Sequence, residues 1–510
     1  MKALILDYLE STAERFPEKT AFADPETSIS FETLVRRAKA VGSALIPFVQ
    51  PGMAIGFYLD KSVAAITGFM GAVYAGCAYS QLNPRHPASR IASILDTLGS
   101  PVAVTDQAHL PALQEAAFSG KILLMEELLE TPVEPAALDL VRRSMIDTDP
   151  LYVNFTSGST GLPKGVAVSH RNVIDFIPCF TETFGLCESD ILGNQAPFDF
   201  DVSVKDIYTG IFTGATVQII PTAYFTQPVV LMDYLCDRHV NVLIWAVSAL
   251  CFLTTMNALS YRKPENMRYI MFSGEVMPIK HLKKLQAALP DTVYVNLYGP
   301  TEITCNCNYY IVDREFSDDE RLPLGPSFLN ERVFLLDEEN HAVTEPGGVG
   351  ELCVAGSSVV LGYWRDPERT AAAFTLNPLN PNLPERIYHT GDLVKICDNG
   401  EWVYVSRKDF QVKHMGHRIE MGEIEVKLMA VPGVERALCT YLHDKGRILA
   451  FVCGTAEKQE IITALKRDLP EYMIPNIFFP VDSMPLTKNG KIDRAALLSL
   501  YEQRKGGRHG

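Results

Sequence analysis

The amino-acid sequence predicts an α/β protein, with a large N-terminal domain of several subdomains (two layered βαβ sheets plus a β-rich subdomain) and a small α+β domain at the C-terminus. Three observations carry that prediction. Its 510 residues ask for about three to five domain-sized units at roughly 100–200 residues each. Helical patterns alternate with short β-branched runs through most of the chain, and after about residue 320 the texture changes to shorter strands separated by turn signals.

The runs Ala54 to Tyr58, Val102 to Val104, Ala215 to Ile220 and Tyr269 to Phe272 read as buried strands between helices, the pattern of βαβ units in mostly parallel sheets. Ligands in such sheets bind beyond the carboxyl ends of the strands. The uncharged stretch from Ser62 to Pro84 is long enough to suggest a membrane span. Its Gly, Ala, Ser and Tyr content and its Asn83-Pro84 end instead predict a buried helix followed by a buried strand. The turns Glu345-Pro346-Gly347-Gly348, Asp398-Asn399-Gly400 and Lys488-Asn489-Gly490 mark the β-rich part. A boundary near Ser406 to Asp409 divides the chain into residues 1–407 and 408–510, the second part with helices over 422–430 and 459–468.

With 47% apolar and 21% charged residues, the chain has ample core material and is not disordered. A net charge of −15 repels nucleic acid and anionic membrane surfaces, so an anionic ligand needs a local cluster of donors. The 11 cysteines include no C-x-x-C pair and read as reduced, buried thiols rather than disulfides or a zinc site. The N-terminus lacks a signal-peptide pattern, and the expected location is the cytoplasm, with no membrane insertion.

The strongest motif is Thr156-Ser157-Gly158-Ser159-Thr160-Gly161-Leu162-Pro163-Lys164-Gly165, placed behind the apolar strand Leu151 to Phe155. Glycines free backbone N–H groups to wrap an anion, hydroxyls add donors, and Lys164 adds a charge, which together read as a phosphate loop that is not a Walker A sequence. A second constellation, Asn296-Leu297-Tyr298-Gly299-Pro300-Thr301-Glu302, follows the strand Thr292 to Val295. Tyr298 offers a flat face for a purine, Thr301 a hydroxyl for phosphate and Glu302 a hard oxygen for Mg²⁺. The third, Tyr388-His389-Thr390-Gly391-Asp392-Leu393, reads as a carboxylate at a tight turn, suited to two ribose hydroxyls.

In their order these motifs resemble the adenylate-forming superfamily, which includes acyl-CoA synthetases, luciferases and the amino-acid adenylation domains of nonribosomal peptide synthetases. The series also takes in Phe31-Glu32-Thr33-Leu34, Tyr74 to Tyr79, Phe200 to Val204, Ser273-Gly274-Glu275, Gly350-Glu351-Leu352, Leu361 to Trp364, Arg407 to Lys413 and Asn489 to Arg494, and so covers nearly the whole chain. The resemblance implies an acyl-AMP formed from ATP with Mg²⁺, followed by transfer to a thiol. It implies Lys491 as the lysine bridging substrate carboxylate and α-phosphate, with Thr301 and Glu302 as its catalytic companions and Glu302 as the metal ligand. The nucleotide would be held by 156–161, Lys164, Gly274, Glu275, Asn296, Tyr298, Gly299, Asp392 and Arg407. Asp409 would be the hinge of a domain rotation that brings in the loop Lys413 to Glu420; Ser406 stands where the family usually has Gly.

On the same resemblance Asp201, after Phe200, sits where amino-acid-activating members hold the α-ammonium. A buried carboxylate is costly unless paired, and an ammonium supplies the pair; a helix N-cap is the plainer role for such an Asp. The surroundings look most like stand-alone D-alanine:D-alanyl carrier protein ligases, with departures at Lys205, Ser273 and Leu297. Lys205 is four residues after Asp201 and shares a helix face with it. It either points into the pocket and calls for an acidic substrate, or pairs with Asp201 or snorkels beside Asp206 and leaves D-alanine or another small amino acid open. Val202, Ala246, Met271, Ser273, Leu297, Cys305 and Asn306 complete the pocket, too small for a large aromatic side chain. The chain ends shortly after Lys491, so the acceptor is expected in trans: a carrier protein with a phosphopantetheine arm, docking at a local patch such as Lys283-Lys284 or Arg504-Lys505. An acyl- or aryl-acid:CoA ligase is the alternative.

Overall fold

The computed structural model describes residues 4–158, 162–409, 411–443, 445–485 and 492–506. The chain divides into two units. The first comprises Met1–Pro84, Ile94–Phe155 and Gly165–Asp409; the second comprises Arg85–Ser93, Thr156–Lys164 and Phe410–Gly510.

Among the described residues of the first unit, two large sheets are built mainly of parallel strands. One has eight strands in the order Asn308–Ile311, Val293–Tyr298, Tyr269–Ser273, Val242–Ala246, Ile191–Asn194, Thr216–Ile219, Thr20–Ala23 and Ser28–Ser30. The other has seven, in the order Gly362–Tyr363, Lys164–Ser169, Pro150–Thr156, Ala78–Leu82, Ala54–Tyr58, Val102–Thr105 and Lys121–Leu124. Strands such as Ala54–Tyr58, Ala78–Leu82 and Val242–Ala246 are buried along their whole length, as parallel strands covered on both faces must be. The β-rich part is a five-stranded antiparallel sheet of Glu331–Leu336, Val349–Gly356, Arg386–Ile396, Phe374–Leu376 and Trp402–Arg407.

The uncharged stretch folds as predicted, into the helix Val63–Tyr74 and the strand Ala78–Leu82. Its Phe69 ring stacks on Tyr79 with centroids 4.3 Å apart. Among the described residues, no helix is long and apolar enough to cross a membrane. All 11 cysteines are free; six, including Cys305 and Cys307, are buried and the other five are half-buried, so the expected uniform burial holds only in part.

The second unit contains the hairpin Gln411–His414/His417–Glu420 and a sheet of Val434–Leu442, Arg447–Gly454 and Ile477–Pro480. The helices Met421–Met429 and Lys458–Asp468 bury Ile424, Leu428, Ile461 and Leu465 against Cys439, Ile448 and Ala450 of that sheet. Met415 and Gly416 both have positive φ, 54° and 82°, which closes the two-residue turn between His414 and His417.

Candidate functional site

Ala246 and Ser273 are register partners at the carboxyl ends of adjacent parallel strands, and Phe272 pairs with Asn296 one strand further on. Three of the predicted site positions therefore meet at the edge where α/β sheets hold ligands. Leu297 and Met271 are buried within these strands, and the half-buried Asn296 donates its amide to the Pro323 carbonyl at 2.9 Å. Gly274 follows with φ of +96° and nothing within 4 Å of where a Cβ would stand, and Glu275 beside it is half-buried.

The segment after Val293–Tyr298 turns sharply. Gly299 has no room for a side chain, because a Cβ there would stand 2.5 Å from the Asn306 Cα and 2.7 Å from the Cys305 carbonyl oxygen. Thr301–Ile303 forms a single 3-10 turn, and Thr304 and Cys305 follow with φ of 56° and 81°. Two successive left-handed residues other than glycine are costly. The contacts they make hold the turn: Thr304 Oγ1 donates to the Ser358 carbonyl at 2.7 Å, and Cys305 Sγ reaches the Asp201 carbonyl at 2.7 Å. Glu302 is fully buried and accepts a 2.9 Å hydrogen bond from the Tyr363 hydroxyl, while Thr301 is buried beside it.

Tyr298 donates its hydroxyl to Asp392 Oδ2 at 2.5 Å, and Arg407 Nη1 reaches Asp392 Oδ1 at 2.7 Å. Burial, and then the neighbouring Asp392 charge, push the Tyr298 phenol well above its ordinary value, so it stays a donor. Arg407 also forks onto Asp409, with Nε to Oδ1 at 2.7 Å and Nη2 to Oδ2 at 2.8 Å. The Thr390-Gly391-Asp392 tripeptide is not the tight turn expected of it. It lies within the strand Arg386–Ile396, where Thr390, Gly391 and Asp392 together face the single residue Leu352 of Val349–Gly356. Gly391 has φ of +72°, and a Cβ on it would stand 2.7 Å from Arg407 Nη2. A bulge rather than a turn therefore aims the carboxylate.

Asp201 occupies the N-cap position of the helix Val202–Thr213 but makes no capping bond with its side chain, which sets aside the plainer role considered for it. Residues 202–211 of this helix are all buried, so each polar side chain on it needs a partner. Lys205 has no exposure, which rules out snorkelling, and its Nζ donates to Asn306 Oδ1 at 2.5 Å. Among the described residues Lys205 forms no ion pair, and its charge draws down the neighbouring Asp206 carboxyl. Asp206 accepts from Asn194 Nδ2 at 2.8 Å, and burial pushes its carboxyl up to about 7. Phe200 is half-buried and Val202 buried beside them.

Within the second unit, Ser157 of the hydroxyl-rich segment donates to the Arg418 carbonyl at 2.7 Å, and the Gly158 N–H reaches Glu423 Oε2 at 3.2 Å. Glu423 also forms a buried ion pair with Arg90 at 2.6 Å. Thr156 ends the strand before this segment and Lys164, buried, opens the strand after it. Ser159, Thr160 and Gly161, and also Lys491, lie outside the described residues.

Sequence reasoning singled out Asp392, Tyr298 and Arg407 without foreseeing that they touch one another. It named Tyr363 and Glu351 only as motif members. Tyr363 proves to be the donor to Glu302. Glu351 takes the Gly391 N–H at 2.9 Å, Lys408 Nζ at 3.0 Å and His389 Nδ1 at 3.2 Å. Although its burial opposes ionisation, those hydrogen bonds hold Glu351 down at about 2.

Two mainly parallel sheets and a β-rich third sheet define a mixed α/β fold, and a bulged strand in it carries a carboxylate held by a tyrosine and an arginine. The chain belongs to the AMP-binding enzymes, the adenylate-forming ligases: the AMP-binding enzyme model matches residues 9–364, and the AMP-binding enzyme C-terminal domain model matches residues 423–491. It is 33% identical over 506 residues to tyrocidine synthase 3 of Brevibacillus parabrevis, covering 97% of this chain and 8% of that protein. The chain thus spans less than a tenth of the length of that relative. In fold it is similar to holo-PA1221, a nonribosomal peptide synthetase protein containing adenylation and PCP domains, with a TM-score of 0.84 and 24% identity over 97% of this chain and 84% of that one. It is equally similar to the Vibrio cholerae adenylation domain AlmE in complex with glycyl-adenosine-5'-phosphate, with a TM-score of 0.84 and 20% identity over 99% and 98% of the two chains.

Proposed function

We propose that the protein activates an amino acid with ATP and passes the aminoacyl group to the phosphopantetheine thiol of a carrier protein. The observation that carries the reading is the stretch from Tyr298 to Asn306, which joins Asp392 and Arg407 at one end to Asp201 and Lys205 at the other. One short segment thus links a ribose-type acceptor to a buried carboxylate with an unused cap position. The resemblance to peptide synthases supports an amino acid as the acid activated.

In the first step a carboxylate oxygen of the substrate attacks the α-phosphorus of ATP, the bond to the β,γ-phosphate breaks, and aminoacyl-AMP and pyrophosphate result. Two anions must meet, so the protein's part is alignment and charge neutralisation. Asp201 holds the α-ammonium. Tyr298 and Arg407 each occupy one lone pair of an Asp392 oxygen, which leaves a second on each oxygen for the ribose hydroxyls. Lys164 and the 156–161 segment bind phosphate, and Lys491 bridges the carboxylate and the α-phosphate. The hard oxygen of Glu302, buried beside the Thr301 hydroxyl, suits Mg²⁺, which when bound neutralises phosphate charge. In the second step the carrier's sulfur attacks the acyl carbon, AMP leaves, and the thiol proton passes to solvent. The first unit ends at Asp409, the proposed hinge for the change between steps, and Ser406 is not among the positive-φ residues, so no glycine is needed there.

The test is amino-acid-dependent exchange of pyrophosphate into ATP, followed by loading of a phosphopantetheinylated carrier. Exchange driven only by acids lacking an α-amino group would replace this reading with an acyl- or aryl-acid:CoA ligase.

A further inference from the structure

We infer that the amino acid activated carries an acid group on its side chain, received by Lys205 and Asn306. The inference rests on the amino-acid reading above and narrows it from a small or acidic substrate to an acidic one.

A buried ammonium persists only where an anion answers it. Lys205 is wholly buried, and among the described residues its one hydrogen bond, to Asn306 Oδ1 at 2.5 Å, is to a neutral amide. Its place also works against it: it is the fourth residue of the helix Val202–Thr213, in the first turn, where the aligned peptide dipoles disfavour a cation.

Asp206 is the next residue, about 100° further round the helix; it is turned to Asn194, and burial pushes its carboxyl up to about 7 against the pull of the Lys205 and Lys61 charges. Burial pushes the Cys305 thiol up, so it is uncharged. Once a substrate's ammonium takes up the charge of Asp201, the positive charge of Lys205 is left with Asp206 alone among these groups, and a side-chain acid would balance it.

Asp201 and Lys205 stand one helical turn apart, a spacing of about 5–6 Å between Cβ atoms that places both on one face. An amino acid with its ammonium at Asp201 extends its side chain along the helix towards Lys205. Asn306 reaches that end through the two left-handed residues before it, so the costly turn places an amide where a side-chain acid would be received. Ala246 and Ser273 stand opposite each other at the strand ends.

The experiment is pyrophosphate exchange by the full chain with aspartate, glutamate, asparagine, glutamine, glycine and both enantiomers of alanine. An acid is expected to exceed its own amide in kcat/KM by about 10²-fold or more, the discrimination typical of a site whose buried polar groups are left unpaired by the wrong substrate. Lys205→Met is expected to lose at least that factor for the acid and to gain activity with uncharged side chains, with the KM for ATP serving as the folding control. Asn306→Ala is expected to lose about tenfold for the acid only, the value of a hydrogen bond to a charged group. Preference of the wild-type protein for glycine or alanine would overturn the inference while leaving amino-acid activation standing, as would an unchanged profile in folded Lys205→Met. If Lys205→Met does not fold, the wild-type acid-to-amide ratio decides. Exchange with no amino acid at all removes both readings.

Discussion

Tyr298→Phe tests the part proposed for the tyrosine in holding the nucleotide. The substitution removes one hydroxyl and leaves the ring, so packing is kept while the 2.5 Å bond to Asp392 is lost. Asp392 is 5% exposed, and among the described residues the remaining partner on its carboxylate is Arg407 at 2.7 Å. A hydrogen bond to a charged group is worth about 1.5–3 kcal/mol, and at about 1.4 kcal/mol per factor of ten this predicts a 10- to 100-fold weaker hold on ATP. The carboxylate, free to turn about its side-chain bonds, no longer presents one lone pair on each oxygen to the two ribose hydroxyls. Pyrophosphate exchange at saturating amino acid and varied ATP should show a raised KM for ATP with kcat changed by less than about threefold, the signature of uniform binding lost. The KM for the amino acid should stay put. If the KM for ATP is unmoved while thermal stability falls, the Tyr298–Asp392 bond is scaffolding only, and the assignment of Asp392 to ribose fails.

Lys491→Ala should abolish adenylate formation while sparing much of the transfer from preformed aminoacyl-AMP to the carrier; equal loss in both half-reactions would contradict its role. Glu302→Gln should lower exchange by about 10²–10³-fold with a raised requirement for Mg²⁺, the loss typical of one preorganised charge, and an unchanged Mg²⁺ titration would take the metal away from Glu302. His170 gives a pH prediction. Burial, and then the nearby Arg142, lower its value to about 3, and its Nδ1 accepts the Ile5 N–H at 3.2 Å. The unfolded chain takes up this proton near pH 6.5 and the folded one only near 3, so its contribution is complete above about 6.5 and is lost as pH falls, at about 1.4 kcal/mol per unit. Urea midpoints between pH 7 and 4.5 should fall less steeply for His170→Gln than for the wild type.

The helix-and-strand alternation was legible because period and composition are local: the strands at Ala54, Val102, Thr216 and Tyr269 begin within a residue of the runs that predicted them. The presence of Asp201 and Lys205 on one helix was legible for the same reason. Strand order was not, since Thr20–Ala23 pairs with Thr216–Ile219 far along the chain. Nor was the bulge at Gly391: a glycine before an acid is a turn signal in isolation, and only the opposing strand decides that it becomes an extra loop within a ladder. Snorkelling of Lys205 into water failed on burial, and its bond to Asn306 spans 101 residues, neither of which a sequence records.

The short stretch from Tyr298 to Asn306 also bears on redesign. Grafting it from a relative to alter which amino acid is accepted would also replace the residue bonded to Asp392, so, on the proposed ribose role of Asp392, hybrid enzymes are expected to trade ATP affinity for altered selectivity. Changes confined to Lys205, whose bond is to Asn306 rather than to Asp392, escape that penalty. The helix is therefore the safer handle for directed evolution of this enzyme, and the loop the costlier one.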